Sequence, residues 1–167
     1  MSLNEGEMLA LAAELGRRLA ARGAFAATAE SCTGGLVAGA ITAIPGSSGW
    51  FDRGFVTYSN EAKVELLGVD PDTLEQHGAV SEATARAMAE GAIRASHADM
   101  AVAVTGIAGP DGGTPAKPVG MVCFAWAGRD GSVTAATHHF PGDREAVRRA
   151  SVVVALQGLI ERLGLKN

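Results

Sequence analysis

Cysteine is scarce in this chain: two in 167 residues, Cys32 and Cys123, far apart and outside any Cys-x-x-Cys spacing. A disulfide framework is therefore not expected, and a metal site has no ligand cluster to stand on. Aromatic residues make up only 5%. The abundant Ala and Gly instead imply backbones that approach closely. No apolar run nears the roughly 20 residues needed to cross a bilayer. The first residues, Met1-Ser2-Leu3-Asn4-Glu5-Gly6-Glu7, are acidic and lack a signal-peptide pattern, so a cytoplasmic location is expected. A basic excess is missing too. The net charge is −4 and Lys and Arg are dispersed, which argues against a nucleic-acid surface.

What is present is a soluble, globular composition, 47% hydrophobic and 19% charged, of a length that suits one domain over residues 1–167. Apolar residues at Met8, Leu11, Leu15 and Leu19 predict a helix over residues 4–22, with Asn4 and Glu7 as a capping box and Gly23 as its stop. A short buried strand follows around residues 25–29, then a polar turn, then a small-residue helix ending before Pro45. Residues 54–59 read as a second strand, and Asn60 as the cap of a helix through Leu67. Residues 72–77 fit a turn or short helix, and Ser81 caps an Ala-rich helix to about Ala95.

Residues 100–105 form a continuous apolar run, the pattern of a strand covered on both faces. A Gly- and Pro-rich loop spans residues 106–118, and loops of that size are usually functional or disordered. Two strands over residues 119–126 and 133–140 flank a hairpin turn at Asp130-Gly131. Asp143 opens the last helix, to about Leu163. Helices before, between and after strands predict a three-layer α/β/α sandwich, and the consecutive late strands make its sheet mixed.

Chemistry concentrates at Thr28-Ala29-Glu30-Ser31-Cys32-Thr33-Gly34-Gly35. Strand, glycine-containing turn and helix is where α/β folds hold ligands, because amides there lack intrahelical partners. Ser31 is either a nucleophile or a helix cap, and Thr33 can take the cap instead. Cys32 is a rival nucleophile or a small buried apolar residue. None of the four histidines, His77, His97, His138 and His139, sits in a triad motif. Lysine can replace histidine as base when held neutral. Lys63, beside a strand-to-helix junction, is such a base or else a solvated side chain. Arg144 and Arg148 share one helix face and oppose its dipole, so they hold an anion or are neutralised by Asp143 and Glu145.

Several stretches together, Ala29-Glu30-Ser31-Cys32-Thr33-Gly34-Gly35, Arg53-Gly54-Phe55-Val56-Thr57-Tyr58-Ser59-Asn60-Glu61-Ala62-Lys63, Gly78-Ala79-Val80-Ser81, Ala103-Val104-Thr105-Gly106-Ile107-Ala108-Gly109-Pro110 and Gly142-Asp143-Arg144-Glu145-Ala146-Val147-Arg148, resemble the CinA C-terminal-domain family. The resemblance covers nearly the whole chain. It lacks the molybdopterin-binding-like domain of longer members, so the stand-alone form is expected.

The resemblance implies deamidation of nicotinamide mononucleotide in pyridine-nucleotide salvage, with no metal or organic cofactor and a homodimeric assembly. It implies Ser31 as nucleophile, Lys63 as base and Tyr58 as an assisting group. Backbone amides of Thr33, Gly34 and Gly35 are then the oxyanion donors, and one of Arg144 and Arg148 the phosphate ligand. Asn60, Thr105 and Gly106, within the matching stretches, complete the substrate-binding candidates. The alternative is a non-catalytic nucleotide-binding module of a competence- or DNA-damage-related protein.

Overall fold

The computed structural model describes residues 3–164, with side chains from Glu5 onward. The expected capping box of Asn4 and Glu7 involves a side chain outside the described residues. Helix α1 (Leu3–Arg22) leads into β1 (Ala26–Glu30), α2 (Leu36–Thr42), a single 3-10 turn at Ser47–Gly49, and β2 (Phe51–Val56). Then come α3 (Asn60–Leu67), α4 (Pro71–His77), α5 (Glu82–Arg94), β3 (Met100–Gly106), β4 (Met121–Gly128), β5 (Val133–His139) and α6 (Arg144–Gly164).

The strands form one mixed sheet in the order β2-β1-β3-β4-β5. β1 runs parallel to both β2 and β3, while β4 is antiparallel to β3 and β5. From β1 the chain goes to β2 on one side and returns through β3 on the other. The carboxyl end of β1 is therefore the point where the winding reverses, and α/β sheets open a crevice there.

Alternation along the strands sorts side chains to two cores. Met100, Val102, Val104, Val122, Phe124 and Trp126 meet Leu15 and Leu19 of α1, Ile41 of α2, and Leu156 and Leu159 of α6. The opposite face is nearly all small: Ala27, Ala29, Ala101, Ala103 and Ala125 pack on Ala85, Met88, Ala89 and Ala92 of α5. Helices on both faces complete the α/β/α arrangement, with α3 and α4 lying against α5. The small residues let elements close on one another, as their Ala and Gly content suggested. A Cβ at Gly91 would stand 2.0 Å from Leu67 O, and one at Gly158 2.1 to 2.3 Å from the Trp126 indole.

Several boundaries differ from expectation, β2 beginning at Phe51 rather than residue 54 among them, and three bear on the site. β2 ends at Val56 rather than Ser59. Thr57 N–H still donates to Glu30 O, after which the chain leaves the sheet. The β-branched and aromatic residues that resembled strand carry Tyr58 into a loop instead. Ser59, not Asn60, caps α3: its backbone is extended and its Oγ accepts from Ala62 N–H at 3.0 Å. β4 likewise starts at Met121 rather than Val119 because the 106–118 loop is pinned by Gly120 N–H to Ile107 O.

Candidate active site

The three parallel strands end on the same edge and bring together Ser31 after β1, Tyr58 after β2 and the 106–112 segment after β3. Ser31 N–H donates to Val104 O, continuing the β1–β3 pairing one residue past the strand. A tight turn follows, closed by Gly34 N–H to Ser31 O at 3.0 Å. Gly34 and Gly35 have φ of 57° and 107°, a region where any side chain would be strained.

Neither Ser31 nor Thr33 caps α2. The cap is Glu30, fully buried, whose carboxylate accepts from the N–H groups of Gly35 (3.2 Å), Val37 (2.9 Å) and Ala38 (3.0 Å). Thr33 Oγ1 donates to the same carboxylate at 2.6 Å. A carboxylate suits the positive end of a helix, and here it satisfies amides that the helix leaves without partners. In the sequence Glu30 stands out only as one residue of the matching stretch 29–35. Its signal was an acid at the end of an otherwise apolar strand, a position that burial forbids unless hydrogen bonds compensate.

Arg148 braces the turn from behind: Nε donates to Cys32 O at 3.1 Å and Nη2 to Thr33 O at 3.3 Å. Across a planar trans peptide, the N–H of Thr33 points opposite to the Cys32 carbonyl, hence away from Arg148. The amides of Gly34 and Gly35 are already engaged, with Ser31 O and Glu30 respectively.

Lys63 is not a solvated side chain. It is 1% exposed, and its Nζ lies 3.0 Å from Ser31 Oγ, 2.7 Å from Thr57 O and 3.5 Å from Ser59 O. Among the described residues no carboxylate forms a salt bridge with it. Burial pushes its pKa below the ordinary 10.5, since desolvation penalises the charged form. Cys32 is also buried, but burial pushes its thiol up to about 11, so it stays protonated at neutral pH and is a poor nucleophile.

Ser31, Lys63, Tyr58, Thr105, Gly106 and Arg144 all line a cleft of about 290 Å³, with Cys32, Ala79, Val80 and the 107–112 segment. Thr105 Oγ1 donates to Ala79 O at 2.8 Å and so holds that wall in place. Gly106 allows close approach to β4, where a Cβ would stand 2.7 Å from Val122. Of the other candidates, Asn60 is exposed at the start of α3, and Thr33, Gly34, Gly35 and Arg148 lie outside the cleft lining. The four histidines are outside it as well. A larger groove of about 620 Å³ between α1, α2 and α6, lined by Met8, Leu9 and Leu36 among others, contains none of the serine–lysine groups.

The two arginines separate in role. Arg144 donates from Nη2 to Tyr58 OH at 3.0 Å and from Nη1 to Gly109 O at 2.9 Å, both neutral acceptors. Its sequence neighbours do not neutralise it: Asp143 caps α6 through Ala146 N–H, and Glu145 pairs with Arg149. Among the described residues, no group of three or more His, Cys, Asp or Glu is placed to hold a metal ion.

A buried serine–lysine pair thus stands at the carboxyl edge of the parallel strands of a mixed α/β/α sheet. The chain belongs to the CinA C-terminal domain family, whose profile matches residues 8–163. It is 58% identical over 165 residues to a protein of Enterobacter agglomerans named nicotinamide-nucleotide amidohydrolase PncC, covering 99% of this chain and 100% of that one. The Escherichia coli K12 protein of the same name is 55% identical over 157 residues, covering 94% and 95%. The crystal structure of the competence/damage inducible protein CihA from Agrobacterium tumefaciens superposes with a TM-score of 0.94 at 49% identity, covering 98% and 99%.

Proposed function

We propose that this protein hydrolyses the carboxamide of nicotinamide mononucleotide to nicotinate mononucleotide and ammonia, with Ser31 as nucleophile and Lys63 as its base. The observation that carries the mechanism is the buried Lys63 amine 3.0 Å from Ser31 Oγ, with no carboxylate salt-bridged to it among the described residues. The names of full-length relatives support the substrate.

A neutral amine has two N–H donors and one lone pair. The carbonyls of Thr57 and Ser59 accept the two donors, which leaves the lone pair for the Ser31 hydroxyl proton. Ser31 Oγ then attacks the carboxamide carbon as that proton moves to Lys63. The amide of Cys32, which lines the cleft, holds the oxyanion, since those of Gly34 and Gly35 are occupied and Thr33 lies outside the lining. The adduct collapses as its NH2 nitrogen takes that proton from Lys63 through Tyr58, so the C–N bond breaks, ammonia departs and a nicotinoyl ester remains on Ser31. Water, deprotonated by Lys63, attacks the ester, and the proton passes back to Ser31 Oγ as nicotinate mononucleotide departs. Arg144 binds the 5′-phosphate at the cleft, while Arg148 braces the turn.

The chain works as one cytoplasmic domain in pyridine-nucleotide salvage, without a nucleic-acid partner. A homodimer is proposed too, because Leu9, Leu36 and Val56 are exposed apolar side chains; light scattering measures it. The activity is tested by ammonia release from nicotinamide mononucleotide, nicotinamide riboside and nicotinamide, with wild type beside Ser31→Ala. Release from the mononucleotide, abolished by Ser31→Ala, is expected. Mononucleotide binding without release would make the cleft a ligand sensor.

A further inference from the structure

We propose that Arg144 couples recognition of the substrate's phosphate to the placement of Tyr58, so that the phosphate raises turnover as well as affinity. This rests on the deamidase reading above. Arg144 opens the 21-residue helix α6 and reaches across the cleft mouth from the loop carbonyl Gly109 O to the Tyr58 hydroxyl. Tyr58 sits on the connection between β2 and α3 and is 63% exposed, so packing does little to fix its ring. Among the described residues, the hydrogen bond from Arg144 is the one that holds its hydroxyl.

A guanidinium has five N–H donors in a rigid fork, and here two are taken by neutral oxygens. The rest, on a guanidinium that forms no salt bridge among the described residues, are available to a phosphate dianion, which arginine binds through paired, charge-assisted hydrogen bonds. A bound dianion restrains the guanidinium, and the restrained guanidinium fixes the tyrosine it already holds. Interaction energy from the non-reacting end of the substrate is thereby used to orient a group at the reacting end. Phosphate recognition through a lysine ammonium lacks this property, because a point charge cannot span phosphate, Tyr58 and Gly109 together.

The coupling is read from a split between kcat and KM. Wild type is assayed with nicotinamide mononucleotide, and with nicotinamide riboside in the absence and presence of inorganic phosphite. Three results are expected. The riboside has a kcat lower on the order of 10- to 100-fold, as for a misplaced catalytic group. Phosphite, a free dianion, raises the riboside kcat severalfold. In Arg144→Ala the mononucleotide kcat falls toward the riboside value and phosphite has no effect. Arg144→Lys keeps the charge, so it should retain much of the affinity while losing turnover. An unaltered melting temperature in both variants separates this from misfolding. If wild type deamidates the mononucleotide but phosphite leaves the riboside kcat unchanged, or Arg144→Ala raises KM alone, the coupling is overturned and the deamidase reading stands. If wild type releases no ammonia from the mononucleotide, both fall.

Discussion

Replacing Glu30 with glutamine is nearly isosteric, yet it should be among the more damaging single-atom changes near the site. Glu30 Oε1 accepts from Thr33 Oγ1, Gly35 N–H and Val37 N–H, and Oε2 from Ala38 N–H. The least harmful placement of the amide puts its nitrogen at Oε2, where it faces the Ala38 N–H donor to donor. One bond is then lost, a part-buried N–H is left without a partner, and three bonds lose their charge. With hydrogen bonds to charged groups worth about 1.5–3 kcal/mol and the charge–dipole interaction about 0.5 kcal/mol, a total near 3 kcal/mol is expected. At ~2–4 °C per kcal/mol for a domain of this size, the melting temperature should drop by about 6–12 °C. The same change loosens the turn that positions Ser31, so kcat should fall alongside. Thermal melting by circular dichroism and ammonia release measure the two effects. A Glu30→Gln protein that melts within about 2 °C of wild type and keeps its kcat would refute the argument.

Lys63→Met removes the amine and keeps the bulk; turnover should fall by about three orders of magnitude or more if the amine is the base. In wild type, kcat/KM should rise with pH through an ionisation whose midpoint lies below 10.5, because burial lowers the Lys63 pKa and only the neutral amine takes the proton. The same shift makes the fold more stable as pH rises between that lowered pKa and 10.5, where the unfolded chain binds the proton and the folded one does not. The buried thiols of Cys32 and Cys123, whose pKa values are raised from 9.0, pull the other way in the upper part of that window. The lysine's share is therefore read as the difference between wild type and Lys63→Met, and a difference that falls as pH rises would contradict a buried amine. Cys32→Ala should keep kcat within about tenfold, since a thiol held near 11 carries almost no thiolate at neutral pH; complete loss would restore cysteine as nucleophile. Gly158→Ala places a methyl 2.1 to 2.3 Å from the Trp126 indole. Overpacking of that kind costs about 1–3 kcal/mol, seen as a lowered melting temperature with unchanged KM.

The layer order and most elements were legible in the sequence because each has a local cause. Ser81 and Asp143 stand at the starts of α5 and α6 as expected, and residues 100–105 read as a fully covered strand. The elements whose bounds differ from expectation are those whose tertiary role outweighs local preference. Phe55, Val56 and Tyr58 favour extended chain wherever they occur, and nothing local says that the strand must stop at Val56 so that Ser59 can cap α3. Ser31 and Lys63 were both picked out, but their distance was invisible, because it depends on two strands pairing in parallel over 32 positions of sequence separation. Glu30 was overlooked for the same reason. A glutamate is ordinarily a surface residue, and its burial becomes intelligible once the start of α2 is seen folded back over it.

The antiparallel end of the sheet has a practical consequence. Met100 pairs with Gly128 and Gly106 with Val122, so the turn at Asp130-Gly131 lies at the pole opposite the cleft. No cleft-lining side chain comes from β5 or from that turn. A fluorophore or an affinity handle placed at Thr134, exposed in β5 close to that turn, would ride on the same sheet as Ser31 without entering its chemistry.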